Sequence, residues 1–244
     1  MKRVLATLFL ILLISCTTET SPPAPPPPPL KPLTGPLPSG TATTQDGHTI
    51  AYQIYPSKAG SPAVILLHML RRSRTDWDSI AKWLQKNGYT VIVPDLRGHG
   101  QSSGNWEKFT PEDFNKMTFD VAAMKSVLEN QGADVKRLAI IGASIGANVA
   151  FNYAATDPDV KTVVLLSPGL EYKGVQTGNT KFGRPFLAVA SKDDQYGAQS
   201  AQEIKRNNPS AELVLYEKAG HGTNMFIAQN DLAPKILDWL KEYT

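Results

Sequence analysis

The sequence predicts an α/β fold in which a mostly parallel sheet is covered by helices on both faces. Three observations predict it. Short, continuously apolar runs such as AVILL at 63–67 and LAII at 138–141 suit strands buried on both faces, as in a helix-covered parallel sheet. Segments with apolar residues at helical spacing lie between these runs, so strand and helix alternate along the chain. One run passes straight into a helix through Gly142-Ala143-Ser144-Ile145-Gly146, a glycine-flanked turn with a hydroxyl at its centre.

The chain opens with a basic Met1-Lys2-Arg3 and an apolar run of 11 residues, 4–14. A spanning helix needs about 20, so the run fits the core of a signal peptide instead. It ends in Leu13-Ile14-Ser15-Cys16, which resembles the lipobox of bacterial lipoprotein signals. That resemblance implies removal of residues 1–15, lipidation of Cys16 and anchoring in the cell envelope. Thr17 after the cysteine then favours the outer membrane, with the protein facing the periplasm. Cys16 is the only cysteine in the chain, so no intrachain disulfide is expected. Residues 16–39 are dominated by proline, which removes backbone donors and fixes φ. This stretch reads as an extended tether of about 3 Å per residue, leaving 40–244 as the folded domain.

Within the domain, 41–44 and 49–55 alternate about Asp46-Gly47 as a hairpin. Strand 63–67 leads to His68-Met69-Leu70. A helix carrying Trp77, Ile80, Ala81 and Leu84 stops at Gly88, and strand 89–93 follows. A helix is expected over 112–130, with Phe119, Ala122, Ala123 and Val127 on one face. After the Ser144 turn come a helix over 147–155, strands 163–166 and 186–190, a helix from about Ala198, strand 212–216 and a closing helix over 232–243, with Ile236, Leu237 and Leu240 inward. Ligands in such sheets bind at the C-terminal strand ends, where His68, Ser144 and Asp194 fall.

The net charge of +3 is spread out, with no basic stripe interleaved with aromatics, so no nucleic-acid partner is expected. No H-E-x-x-H, G-x-x-x-x-G-K or G-x-G-x-x-G occurs, so zincin, P-loop and Rossmann chemistry have no motif. What remains is the serine. A sharp strand-to-helix turn lifts Ser144 off the sheet, and the glycines two before and two after remove side chains that would clash there. The helix begins just past it, so the Ile145 N–H points at any oxyanion formed on Ser144. A serine nucleophile also needs a base and an acid that orients the base. Of the four histidines, His48 lies on a surface hairpin, and His68 and His99 precede the serine. His221 lies in a glycine-flanked loop after the last strand. The acid is offered by Asp193 or Asp194, just past the penultimate strand, giving the chain order serine, acid, histidine.

Taken together, LLH at 66–68, DLRGHGQS at 95–102, GASIG at 142–146, SKDD at 191–194 and GHG at 220–222 resemble the α/β-hydrolase superfamily. The similarity is to its serine esterase and dienelactone-hydrolase-like branch without a large cap. The resemblance implies the α/β-hydrolase fold over most of 41–244, with Ser144, Asp194 and His221 as catalytic triad. It favours Asp194 over Asp193 and implies backbone N–H donors from Ile145 and Leu70. His68 and His99 read as structural polar residues. Two departures stand out: Met69 replaces the usual glycine after His68, and the nucleophile is a serine where dienelactone hydrolases use cysteine.

The implied chemistry is two-step hydrolysis of a small carboxylic ester, with no cofactor and no metal. The same triad serves thioesterases and peptidases, and the same scaffold can serve a catalytically silent binding lipoprotein. The link over 167–185 is rich in glycine and polar residues and lacks the period of a lid helix, which implies an open site for short acyl groups. The alternative wall is Trp106, Phe109 and Phe114.

Overall fold

The structure, a computed structural model, describes residues 39–244. The leader, Cys16 and the tether up to Pro38 lie outside the described residues.

β1 (Ser39–Thr43) and β2 (Thr49–Tyr55) form the antiparallel hairpin, starting one residue before the expected domain boundary. β3 (Pro62–Leu67), α1 (Asp78–Lys86) and β4 (Thr90–Pro94) follow. Next come α2 (Pro111–Asn115), α3 (Met117–Asn130), β5 (Asp134–Ala143) and α4 (Ile145–Thr156). β6 (Val160–Leu166) leads to a short ribbon, β7 (Glu171–Tyr172) and β8 (Val175–Gln176). The chain continues through β9 (Phe186–Ser191), α5 (Gln195–Asn207), β10 (Ala211–Tyr216), α6 (Met225–Ala228) and α7 (Leu232–Tyr243).

Eight strands form one sheet in the order β1-β2-β4-β3-β5-β6-β9-β10. β2 pairs antiparallel with β1 and β4, and the other pairs are parallel. The period of two in each strand sorts the core into two layers. Ile65, Leu67, Ile92, Ile140, Val163 and Ala188 pack with Val121, Met124 and Leu128 of α3, Phe151 of α4 and Ile204 of α5. Val64, Leu66, Val91, Ile141, Val164 and Val189 pack with Ala81 and Leu84 of α1 and Ile236 and Leu240 of α7. This is the mostly parallel, helix-covered sheet that the strand composition predicts. Removing one large side chain from either layer, such as Phe151, costs about 3–5 kcal/mol.

Register places the functional segments at one end. Leu67 lies beside Gly142, Ala143 beside Leu166, Leu166 beside Val189, and Ser191 beside Tyr216. The segments that follow these residues, bearing Leu70, Ser144, Ser167, Asp194 and His221, therefore emerge along the same edge.

Three expectations need correction. The helix over 112–130 is two helices. Thr110 and Asp113 form a capping box that starts α2 at Pro111, and the chain turns at Lys116 (φ −68°, ψ −5°) before α3 begins. The buried face of α3 carries Met117, Val121, Met124 and Leu128, so Phe119, Ala122, Ala123 and Val127 are only partly covered. α5 starts at Gln195 rather than near Ala198, because the Asp194 side chain caps it. The link over 167–185 carries no helix, as expected, and within it Lys173 (φ 54°) and Gly174 (φ 84°) make a left-handed two-residue turn, which suits a tight hairpin.

Candidate active site

β5 ends at Ala143 and α4 begins at Ile145, which leaves Ser144 alone to make the turn at φ 54° and ψ −122°. Such a conformation costs a non-glycine residue of order 1–3 kcal/mol and persists only where its surroundings enforce it. The enforcement is visible. Ser144 N–H donates to Leu166 O at 2.9 Å, and its carbonyl accepts from Ala147 N–H at 2.9 Å. The flanking glycines are required by space. A Cβ on Gly142 would lie 2.2 Å from the Gly146 carbonyl oxygen, and one on Gly146 would lie 2.6 Å from the carbonyl oxygens of Leu67 and His68. Gly146 thus lets the start of α4 close against the end of β3.

That contact sets the N–H groups of Ile145 and Leu70 on neighbouring segments. Among the described residues, neither donates to an internal acceptor. Leu70 is half-buried in the turn after β3, which reverses through Arg71 at φ 64°. Met69, at the position where the resemblance expects glycine, is buried with its thioether against Gly222. A Cβ on Gly222 would come within 2.3 Å of Met69 Sδ. The missing side chain at 222 makes the room that Met69 fills.

Of the two aspartates, Asp194 reaches the imidazole. Its Oδ2 lies 2.7 Å from His221 Nδ1, and its Oδ1 accepts from Gly197 N–H at 3.4 Å. Burial alone would raise the Asp194 pKa. The hydrogen bond and charge of His221, with help from Ser167 and Gly197, outweigh burial and hold the carboxyl below its ordinary value. An ionised Asp194 facing Nδ1 makes that nitrogen the donor and leaves Nε2 as the acceptor. Asp193 instead supports the loop. Its Oδ1 accepts from the Ser191 hydroxyl and from the N–H groups of Ala219 (3.3 Å) and Gly220 (3.2 Å).

Ser144 and His221 meet through a residue that the sequence reading did not single out. Tyr172, on β7, lies edge-on to the His221 ring at 6.3 Å, and its phenol sits beside the Ser144 hydroxyl. Among the described residues no hydrogen bond joins Ser144 Oγ to His221; such contacts are commonly loose without substrate and tighten when it binds. Burial, then the charge of Asp194, pushes the Tyr172 phenol well above its usual value, so it stays protonated. The ribbon holding it is fixed on three sides. Asn148 of α4 donates to Val175 O at 2.8 Å, Asn115 of α2 donates to Gly174 O at 3.0 Å, and Tyr196 of α5 donates to Glu171 O at 2.8 Å. The only local signal for this ribbon is the Lys173-Gly174 turn.

The other histidines stand apart. His68 is fully buried, with Nδ1 donating to Met69 O at 2.7 Å and Nε2 accepting from Leu96 N–H at 2.9 Å. Burial pushes its pKa down to about 4, so it is neutral and structural. His99 is buried between His68 and a stacked Trp106. His48 is half-buried against Phe109 rather than free on the surface. Phe114 belongs to the core, and Phe109 packs against it and beside Gly98. The wall beside the serine is therefore Tyr172.

A serine on a strand–turn–helix elbow, with an acid–histidine pair delivered by later strands to the same sheet edge, is the arrangement of an α/β-hydrolase. A sequence model of the alpha/beta hydrolase fold matches residues 62–177. The strand order and this match show the α/β-hydrolase fold. It is 35% identical over 116 residues to a non-heme chloroperoxidase of Streptomyces lividans, covering 48% of this chain and 39% of that one. To a bifunctional esterase/perhydrolase of Acinetobacter calcoaceticus it is 32% identical over 129 residues, covering 52% and 44%. The chain thus spans less than half the length of either relative. An esterase from Pyrococcus furiosus superposes with a TM-score of 0.70 at 21% identity, covering 85% of this chain and 93% of that one.

Proposed function

We propose that the chain is a serine hydrolase that cleaves small carboxylic esters by two-step acyl transfer. The observation that carries this reading is the 2.7 Å contact of Asp194 with His221, set at the same sheet edge as an elbow serine held at φ 54°. The esterase named among its relatives supports ester over other acyl substrates. In the first step Ser144 Oγ attacks the ester carbonyl while His221 Nε2 takes the hydroxyl proton. The carbonyl electron pair becomes an oxyanion facing the Ile145 and Leu70 N–H groups. The tetrahedral species collapses, the C–O bond to the alcohol breaks, and His221 returns the proton to the leaving oxygen. Water then enters, gives a proton to His221 and attacks the acyl-enzyme. Collapse frees the carboxylic acid and restores Ser144 with that proton. Asp194 holds the imidazole tautomer throughout and is not itself protonated.

The test is hydrolysis of p-nitrophenyl esters, with thioesters and anilides in parallel, by the full chain and by Ser144→Ala. Turnover of esters that disappears in a folded Ser144→Ala variant is the expected result. Turnover that survives in Ser144→Ala, or that is confined to thioesters or amides, would overturn the reading.

The leader motif supports a second element of the proposal. Cys16 carries the lipid anchor, and the folded domain works from the bacterial envelope membrane at the end of a proline-rich tether. Cys16→Ser should move the protein to the soluble fraction or stall its processing. Unchanged membrane retention of a fully processed variant would refute the anchor.

A further inference from the structure

Among the described residues, four non-glycine residues, Arg71, Ser144, Ser167 and Lys173, adopt a positive φ. Lys173 serves the ribbon turn and Arg71 the turn after β3. Ser144 is the elbow. Ser167, at φ 49°, belongs to none of these, and it is fully buried one residue beyond β6. Strain at a buried, enforced position asks what the residue does there.

Its contacts answer. Ser167 N–H donates to Val189 O at 2.8 Å, which continues the β6–β9 pairing past the strand end and fixes the backbone. With the backbone held, Oγ accepts from Gly222 N–H at 3.0 Å, and the side chain lies beside the Asp194 carboxylate. Its carbonyl accepts from the Tyr172 hydroxyl at 3.3 Å. A Cβ on Gly197 would lie 3.3 Å from Ser167 Cβ and 2.2 Å from Asp194 Oδ2, so the acid and this serine share one tight space. Gly222 is the residue next to His221, and its φ of 58° aims its N–H inward.

We infer that Ser167 is a positioning residue that locks the acid-bearing turn to the histidine-bearing loop. The inference rests on the acyl-transfer reading above. The chemistry at the position is selective. The carboxylate needs a donor, and the Gly222 amide needs an acceptor. A single hydroxyl can satisfy both at once, because it carries one proton and two lone pairs. Alanine satisfies neither. Threonine would add a β-branch at a left-handed φ that such residues avoid. The lock makes the geometry of the Asp194–His221 pair depend on β6, the strand beside the elbow strand, and not only on the two outer strands that carry the pair.

The experiment uses the full chain with Ser167→Ala, Ser167→Gly and Ser144→Ala. Ser167→Ala keeps the strained backbone and removes only Oγ; Ser167→Gly removes Oγ and the strain together. Three quantities are read: kcat and KM for p-nitrophenyl butyrate across pH, the melting temperature, and the downfield ¹H resonance of the His221 Nδ1 proton in the Asp194 hydrogen bond. Both Ser167 variants should lose about 10- to 100-fold in kcat with KM within about twofold, the range typical of removing a group that orients a reactive one. Their melting temperatures should differ from each other while their kcat values agree. The Nδ1 resonance should broaden or vanish. A kcat within threefold of wild type, or a sharp unshifted resonance, would overturn the inference. The resonance needs no substrate. It therefore tests the lock even if Ser144→Ala retains activity and the esterase reading fails.

Discussion

Replacing Asp194 by asparagine should cost about 10²–10⁴ in kcat, or roughly 2.7–5.4 kcal/mol of barrier, and replacing Asp193 should not. The magnitude follows from counting donors. The Asp194 carboxylate accepts from His221 Nδ1 at 2.7 Å and from Gly197 N–H at 3.4 Å, with the Ser167 side chain beside it. Asparagine keeps one acceptor oxygen and puts an NH₂ in place of the other. If the oxygen stays with Gly197, the NH₂ faces the imidazole and drives its proton to Nε2, which then cannot take the proton of Ser144. Asp193 is exposed, and asparagine preserves an oxygen for the Ser191, Ala219 and Gly220 donors. Its replacement should change kcat by less than about threefold. Steady-state rates on p-nitrophenyl butyrate, with thermal melts to show that both variants fold, decide the matter. A larger kcat loss at 193 than at 194 would refute the donor count. Acid should narrow the stability difference between wild type and Asp194→Asn. A carboxyl held below its unfolded value of about 3.8 stabilises the fold above that pH and loses the contribution as pH falls through the folded value.

Three other outcomes follow from the packing. Gly197→Ala places a Cβ 2.2 Å from Asp194 Oδ2, so kcat should fall at least tenfold even though alanine improves helix propensity by up to about 1 kcal/mol; unchanged kcat would show that the acid has room to move. Arg97 is fully buried and binds Asp120 at 2.8 Å and Asp46 at 2.7 Å, so Arg97→Met should destabilise by about 3–5 kcal/mol. Burial pushes Asp120 up to about 6, and a carboxyl raised above its unfolded value favours the fold at low pH and loses that as pH rises, so calorimetry should find a smaller penalty at pH 5 than at pH 7. Tyr172→Ala removes the wall beside Ser144 and should shift the kcat/KM optimum toward longer acyl chains, by up to about fourfold per newly buried CH₂ at about 0.8 kcal/mol each; an unchanged chain-length profile from acetate to decanoate would show that the acyl group lies elsewhere.

The parts of the site that the sequence exposes are those with strict local requirements. The elbow is legible because Gly142 and Gly146 are forced by backbone contacts of 2.2 and 2.6 Å that no side chain survives. The strands are legible because burial on both faces leaves continuous apolar runs. Tyr172 is not legible, because its position depends on Asn148, Asn115 and Tyr196, which come from three different helices. Ser167 looks like any hydroxyl at a strand end until its φ and its two partners are known. The break at Lys116 is hidden because apolar residues continue through it at near-helical spacing, and only the Thr110–Asp113 capping box marks a separate start. Met69 is a departure whose accommodation lies 153 positions away, in the absence of a side chain at Gly222.

The strand order has a consequence for how the molecule fails. Ser144 rises from β5, which has strands on both sides, whereas His221 follows β10, which pairs with β9 alone. In β10 only Ala211 is fully buried. Edge segments of this kind open at a smaller free-energy cost than the global transition, while central strands open only with it. Fraying of β10 would carry His221 away from Ser144 and leave the elbow folded. Heat or mild denaturant would then part these two residues before the molecule melts, and reversibly, since the centre of the sheet remains as the template on which the edge re-forms.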